Sequence, residues 1–195
     1  MHKYVGIVIV AILIGFTACR KPTNFSDDKS LKISFSTDTV SFDTVFTTIG
    51  SSTRQLMIYN SNDENLKISS IRLESGNLSQ FSINVDGQSG HKFSDIEIYA
   101  KDSIYVFVRV TINPNDLNNP FFVEDKLIFE TNDNRQIVNL TAYGQNANYI
   151  VANQYINGFP KFKIIADSLQ EVHWTAERPY VVYGYALINS YGTLV

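Results

Sequence analysis

One cysteine, one tryptophan and three histidines stand in a chain of 195 residues. A single Cys excludes an internal disulfide. The histidines are scattered: His2 at the N-terminus, His91 in the polar stretch GQSGHKF, and His173 beside Trp174. No second His or Cys stands near enough in sequence to make a transition-metal set, so no metal is expected. Phosphate-binding glycine loops, dinucleotide fingerprints and the G-x-S-x-G elbow are missing, so no cofactor and no catalytic residue is expected. A basic excess is missing as well, with 16 Lys and Arg against 19 Asp and Glu. That balance excludes nucleic acid as a partner. Helical periodicity is missing throughout. The oxygen-rich run NPNDLNN (113–119) lacks the spacing of a calcium loop and reads as turn chemistry.

The chain is rich in Val, Ile, Thr, Tyr and Phe for strands and in Ser and Asn for turns. At its start, His2 and Lys3 precede an apolar run from Val5 to Ala18. A bilayer span takes about 20 residues, so this run is short for a crossing and fits a secretory signal. It ends in FTAC, with small residues just before Cys19, and resembles a bacterial lipobox. The resemblance implies a signal peptide over 1–18, cleavage before Cys19 and a diacylglycerol on its sulfur. Arg20 follows, where Asp would favour inner-membrane retention, so the implied location is the outer membrane. The competing readings are an ordinary signal peptide with an unrelated Cys, or an uncleaved anchor. Residues 19–30 are polar and aperiodic and read as a tether.

From Leu31 on, short apolar runs alternate with turn signals. TRQLMIYN (53–60) puts Leu56 and Ile58 on one face. LKISSIRL (66–73) begins on one phase, with Leu66 and Ile68, and ends on the other, with Ile71 and Leu73. A bulge or bend is expected at Ser69–Ser70. In SIYVFVRVTI (103–112), Ile104, Val106, Val108, Val110 and Ile112 share one face at strict period 2. DKLIFET and RQIVNLTAYG flank a short Asn-Asp-Asn and read as a hairpin. Many short strands at near-regular spacing predict an all-β fold, a β-sandwich over 31–146, with a β-rich tail over 147–195.

The stretch SFDTVFTTIGSSTRQLMIYNSNDENLKISSI resembles the opening of Hydin-type immunoglobulin-like domains, found also in abnormal-spindle proteins. Phe42, Val45, Gly50, Asn60, Ile68 and Ile71 fall at that family's positions, with Asp43 where Gly is common. AKDSIYVFVRVTINP and VNLTAYGQ resemble its long strand and closing strand. The resemblance implies an immunoglobulin-like sandwich and is nearly silent on function. W-x-x-x-x-P-Y-V-V-Y-G in the tail resembles the lead-in to right-handed parallel β-helices of Bacteroidota lipoproteins. It implies that the tail starts a β-helix truncated at GTLV.

D-T-V occurs twice, at Asp38 and Asp43. An aspartic-protease reading fails because Val stands where those loops need Gly to turn the two carboxylates together. A first strand that bends into the other sheet is expected instead. D-T-V, D-T-V, D-S-I and D-S-L resemble the Asp-(Ser/Thr)-aliphatic tripeptide that Bacteroidota O-glycosylate in exported proteins, which points to Thr39, Thr44, Ser103 and Ser168. Among the tail aromatics, Trp174, Tyr180 and Tyr183 are candidate glycan contacts, although such rings more often fill or cap a core. YVVYGYALI, apolar on both alternating phases, reads as one strand covered on both faces.

The expected protein is a non-enzymatic envelope lipoprotein, an anchoring, spacing or binding module. Its partners would be the membrane, through the lipid, and a glycan or another envelope protein. The alternative is the N-terminal part of a β-helix surface protein that binds or processes polysaccharide, with its active part beyond residue 195.

Overall fold

The computed structural model describes residues 24–114 and 121–195. Eleven strands precede the tail: β1 (Ser34–Phe35), β2 (Thr39–Phe46), β3 (Arg54–Tyr59), β4 (Leu66–Leu73), β5 (Phe81–Val85), β6 (Gln88–Gly90), β7 (Lys92–Phe93), β8 (Ile96–Ile98), β9 (Ser103–Val110), β10 (Phe121–Thr131) and β11 (Asn134–Gln145). They form a five-stranded sheet in the order β1-β3-β9-β5-β6 and a six-stranded sheet in the order β2-β11-β10-β4-β7, with β8 also on β4. The chain is an immunoglobulin-like β-sandwich followed by a shorter β segment.

The core lies where the period-2 pattern places it. Val106, Val108 and Val110 are fully buried on β9, and on β3 the buried Leu56 stands opposite Val106 and the buried Ile58 opposite Ile104. Leu66, Ile68, Ile71, Leu127 and Phe129 close the core from the other sheet. The phase switch in β4 is a bulge: Glu130 pairs Ser70 while Thr131 pairs Ile68, so Ser69 has no cross-strand partner on β10. Its hydroxyl donates instead to the Glu130 carbonyl at 2.8 Å. The β10–β11 hairpin turns on Asn132 and Asp133, both at positive φ, as a two-residue turn with left-handed residues requires.

The D-T-V segment changes sheets as expected. β1 pairs β3 antiparallel, and after three residues β2 pairs β11 in parallel in the opposite sheet. The N-terminal part of the sandwich is thereby fastened to its closing strand. Part of the segment read as a tether is also fastened. Asn132 and Asn134 donate to the carbonyls of Asp28 and Lys29, and Asn65 donates to that of Asn24. Lys29 Nζ lies 2.7 Å from Asp133.

The tail strands are β12 (Asn148–Val151), β13 (Phe162–Ala166), β14 (Glu171–Val172), β15 (Tyr180–Tyr183), β16 (Tyr185–Ile188) and β17 (Thr193–Leu194). YVVYGYALI is therefore two strands and not one. Gly184 breaks it at φ 95°, and a Cβ there would stand 2.6 Å from that of Ala152. The pairing is parallel throughout: β12 with β15, β13 with β16, β14 with β17. Three successive strands form one turn of chain, and the next three lie beside them in the same order. We refer to these as coil one and coil two. Tail side chains are less buried than the sandwich core, with Phe162 and Ala166 as the buried apolar residues.

Candidate functional site

Cys19 and its lipobox lie outside the described residues. The chain that follows reaches the sandwich at the edge where Asn65, Asn132 and Asn134 hold residues 24–29.

The four Asp-(Ser/Thr) sites separate by exposure. Thr44 is exposed on β2, and Ser168 is exposed at a corner of coil one. Thr39 and Ser103 begin strands and are half-buried. Thr39 also lines a polar cleft of about 330 Å³ with Glu74, Asp125 and Asn139. Asp125 occupies an inward position of β10 and holds the β4–β5 connection, accepting from Ser75 N–H at 3.2 Å. Asp38 and Asp43 do not converge. The Asp38 carbonyl accepts from Asn139 N–H, and the Asp43 carboxylate lies 3.8 Å from Arg54. His173 pairs Glu171 at 2.9 Å. Among the described residues no three His, Cys, Asp or Glu cluster as a metal set. No helix among them is long and apolar enough to cross a membrane.

The candidate glycan-contact rings do not form one open platform. Trp174 and Tyr180 stack on each other, centroids 4.1 Å apart and planes 3° from parallel, so each ring covers one face of the other. The Tyr180 hydroxyl accepts from Thr175 N–H. Tyr183, exposed, ends β15.

A repeated corner between the second and third strands of each coil was not read from the sequence. Asp167-Ser168-Leu169 in coil one stands under Asn189-Ser190-Tyr191 in coil two. In each, the Asx side chain accepts from the following Ser N–H, at 2.8 Å and 3.0 Å. In each, the third residue has positive φ, 64° at Leu169 and 67° at Tyr191. Asn189 Nδ2 then donates across the coils to Asp167 Oδ1 at 2.8 Å. The Ser168 N–H, and next the Asn189 amide, hold the Asp167 carboxyl below the usual carboxylate range. The signal available in the sequence was the recurrence of Asx-Ser followed by a large apolar or aromatic residue. Beside this ladder, Ile156, Phe159, Phe162, Ile164, Leu187 and Ile188 line an apolar groove of about 520 Å³, also unforeseen.

No protein-family model matches the chain, and no curated protein matches it in sequence. Solved structures are similar to part of the chain. A family 123 glycoside hydrolase from Clostridium perfringens is 9% identical over 62% of this chain and 30% of its own, with a TM-score of 0.41. The periplasmic chaperone SfaE is 12% identical over 58% of this chain and 57% of its own, at 0.38. A PapD-like domain of human CEP192 is 12% identical over 67% and 94%, also at 0.38. The chain thus spans about a third of the hydrolase and somewhat over half of the chaperone. The fold itself rests on the pairing of this chain's own two sheets.

Proposed function

We propose that this protein is a non-enzymatic lipoprotein of the bacterial outer membrane, in which a sandwich of the Hydin type mounts a parallel β-coil on a lipid anchor at Cys19. The observation that carries the reading is the junction of the two parts. β11 ends at Gln145 and β12 begins at Asn148, so only two residues separate sandwich from coil. The Tyr149 hydroxyl, on β12, donates to the Thr47 carbonyl at the end of β2. A flexible linker would let the two parts tumble independently. This junction gives the coil a fixed bearing on the sandwich, which suits a spacer.

The Hydin-type assignment is supported by the positions its pattern picks out. Phe42, Ile68 and Ile71 are core residues, and Asn60 is a buried hydrogen-bonding hub. The start of a parallel β-helix is supported by three parallel ladders in series and by the stacked corner. A second reading, a glycan-binding surface protein, draws on the exposed Tyr183, Tyr185 and Tyr191 of coil two. A glycan array on the chain lacking residues 1–19 separates the two: specific retention favours the second reading, and none favours a spacer. Fractionation tests the envelope role. The full chain should sediment with outer membranes and enter detergent, and a freely soluble chain would overturn it.

A further inference from the structure

Coil two is paired on one side. The amides of Asn189, Thr193 and Val195 donate to Ala166, Gln170 and Val172 of coil one. Peptide groups alternate sides along a strand, so those of Val182 on β15 and Leu194 on β17 point away from coil one. Among the described residues, β15, β16 and β17 pair with nothing on that side. The sandwich guards its own edges in the usual ways: β1 and β7 are two residues long, β6 is three, and β2 carries the exposed Asp43. Of these guards coil two has only the shortness of β17, which is two residues long; β15 and β16 are four each. From Tyr180 to Val195 there is no Asp, Glu, Lys, Arg, His or Pro. Val182, Tyr185 and Ile188 are exposed there.

The corner ladder has a direction. Asn189 donates downward to Asp167, and a carboxylate has no N–H to pass on. The ladder therefore ends at coil one, toward the sandwich. On the far side, Asn189 Oδ1 accepts from Ser190 N–H and from no other donor among the described residues, and an amide oxygen has two lone pairs. It can take a second donor from above, as Asp167 Oδ1 takes Asn189 from above while holding Ser168 N–H.

We propose that the free end of coil two is a docking face for a third, parallel β-coil with uncharged strands that places an Asn side-chain amide over Asn189, in the register coil two holds on coil one. This inference rests on reading the tail as a coil stack, and it adds the direction of growth and the chemistry of the occupant. The argument for that occupant is continuity: the same strand directions and the same corner donor already join the first two coils. Gly192 shows how close such coils come, since a Cβ there would stand 2.7 Å from the Ala166 carbonyl oxygen.

The test is amide exchange on two chains, the protein itself and the protein with a second copy of Trp174–Val195 appended after Val195. In the protein itself, the amides of Asn189, Thr193 and Val195 should be protected and those of Val182 and Leu194 should exchange freely. In the extended chain, Val182 and Leu194 should slow by at least about tenfold, the scale of a newly formed ladder bond in an ordered unit. An extended chain whose appended corner carries Asp in place of Asn should lose most of that gain. If Val182 and Leu194 exchange at the same rate with and without the third coil, the docking face does not exist. If they are already protected in the protein itself and deprotect on dilution, a second copy covers the face and the proposal is overturned in favour of self-pairing. Fast exchange at Asn189, Thr193 and Val195 in the protein itself would instead refute the coil stack beneath it.

Discussion

Replacing Asn60 should damage the sandwich more than its size suggests, and in an order that packing alone does not give. Asn60 directly follows β3 and is 1% exposed. Its Nδ2 lies 2.8 Å from the Glu64 carbonyl, 3.2 Å from that of Ile98 and 3.1 Å from that of Tyr99. Its Oδ1 accepts from Asn62 N–H at 3.1 Å and from Asn62 Nδ2 at 2.9 Å. One side chain thus joins the β3–β4 turn to the β8–β9 connection. The amide has two hydrogens, so Asn60→Ala removes two full donations to buried or part-buried carbonyls. At about 1–1.5 kcal/mol each, the cost is about 2–3 kcal/mol. Asn60→Asp keeps the shape and the Asn62 contacts, but buries a charge and turns its second oxygen, which has no donor, toward three carbonyl oxygens. That costs several kcal/mol, more than the alanine change. Urea unfolding of the chain lacking residues 1–19, followed by far-UV circular dichroism, should rank wild type above Ala and Ala above Asp, with unchanged m-values. An aspartate variant more stable than the alanine variant would show that Asn60 fills space and does not serve as the donor hub.

Val108→Asp should prevent folding, because it puts an unpaired charge at a fully buried position, while Arg109→Ala on the outward face should cost little; equal tolerance in the same unfolding assay would mean the strand phase is wrong. The coil corner should loosen in acid. Asp167's pKa is lower folded than unfolded, so its contribution is present at neutral pH and is lost as pH falls through the carboxylate range. Exchange at Ser168 and Asn189 should accelerate there, and Asp167→Asn should flatten that dependence. Limited proteolysis should remove the tail first and leave a resistant sandwich ending near residue 146, since the tail's apolar side chains are mostly half-buried or exposed. A tail as resistant as the sandwich, whose deletion destabilised it, would show that the tail belongs to the sandwich's own core.

Where side-chain periodicity decides the structure, the sequence was informative. The strict alternation from Ile104 to Ile112 became β9 with its inward valines, and the phase switch in LKISSIRL became the bulge at Ser69. Both are local patterns that burial must respect. Pairing between distant segments left no such mark. The parallel ladder of β2 on β11 joins Thr39 to Asn139, and nothing in either segment names the other. Residues 24–29 read as a free tether because their polarity is local, whereas the amides that hold them come from Asn65, Asn132 and Asn134. YVVYGYALI read as one strand because its apolar pattern runs through Gly184, where the backbone turns at φ 95°. At the corner, Asp167 and Asn189 were legible only as two Asx-Ser pairs, since their meaning depends on being stacked. Trp174 and Tyr180 read as a candidate platform because sequence supplies the rings and not their mutual stacking.

The reading of this protein as a lipid-anchored envelope module is tested most directly at Cys19. The full chain, expressed in a Gram-negative host fed a palmitate analogue, should carry the label, and mass spectrometry of its N-terminal peptide should begin at a diacylglyceryl Cys19. Cys19→Ala should abolish the label. A mature chain that begins elsewhere with a free Cys19 thiol, or an alanine variant that stays labelled, would contradict the anchor and with it the proposed function.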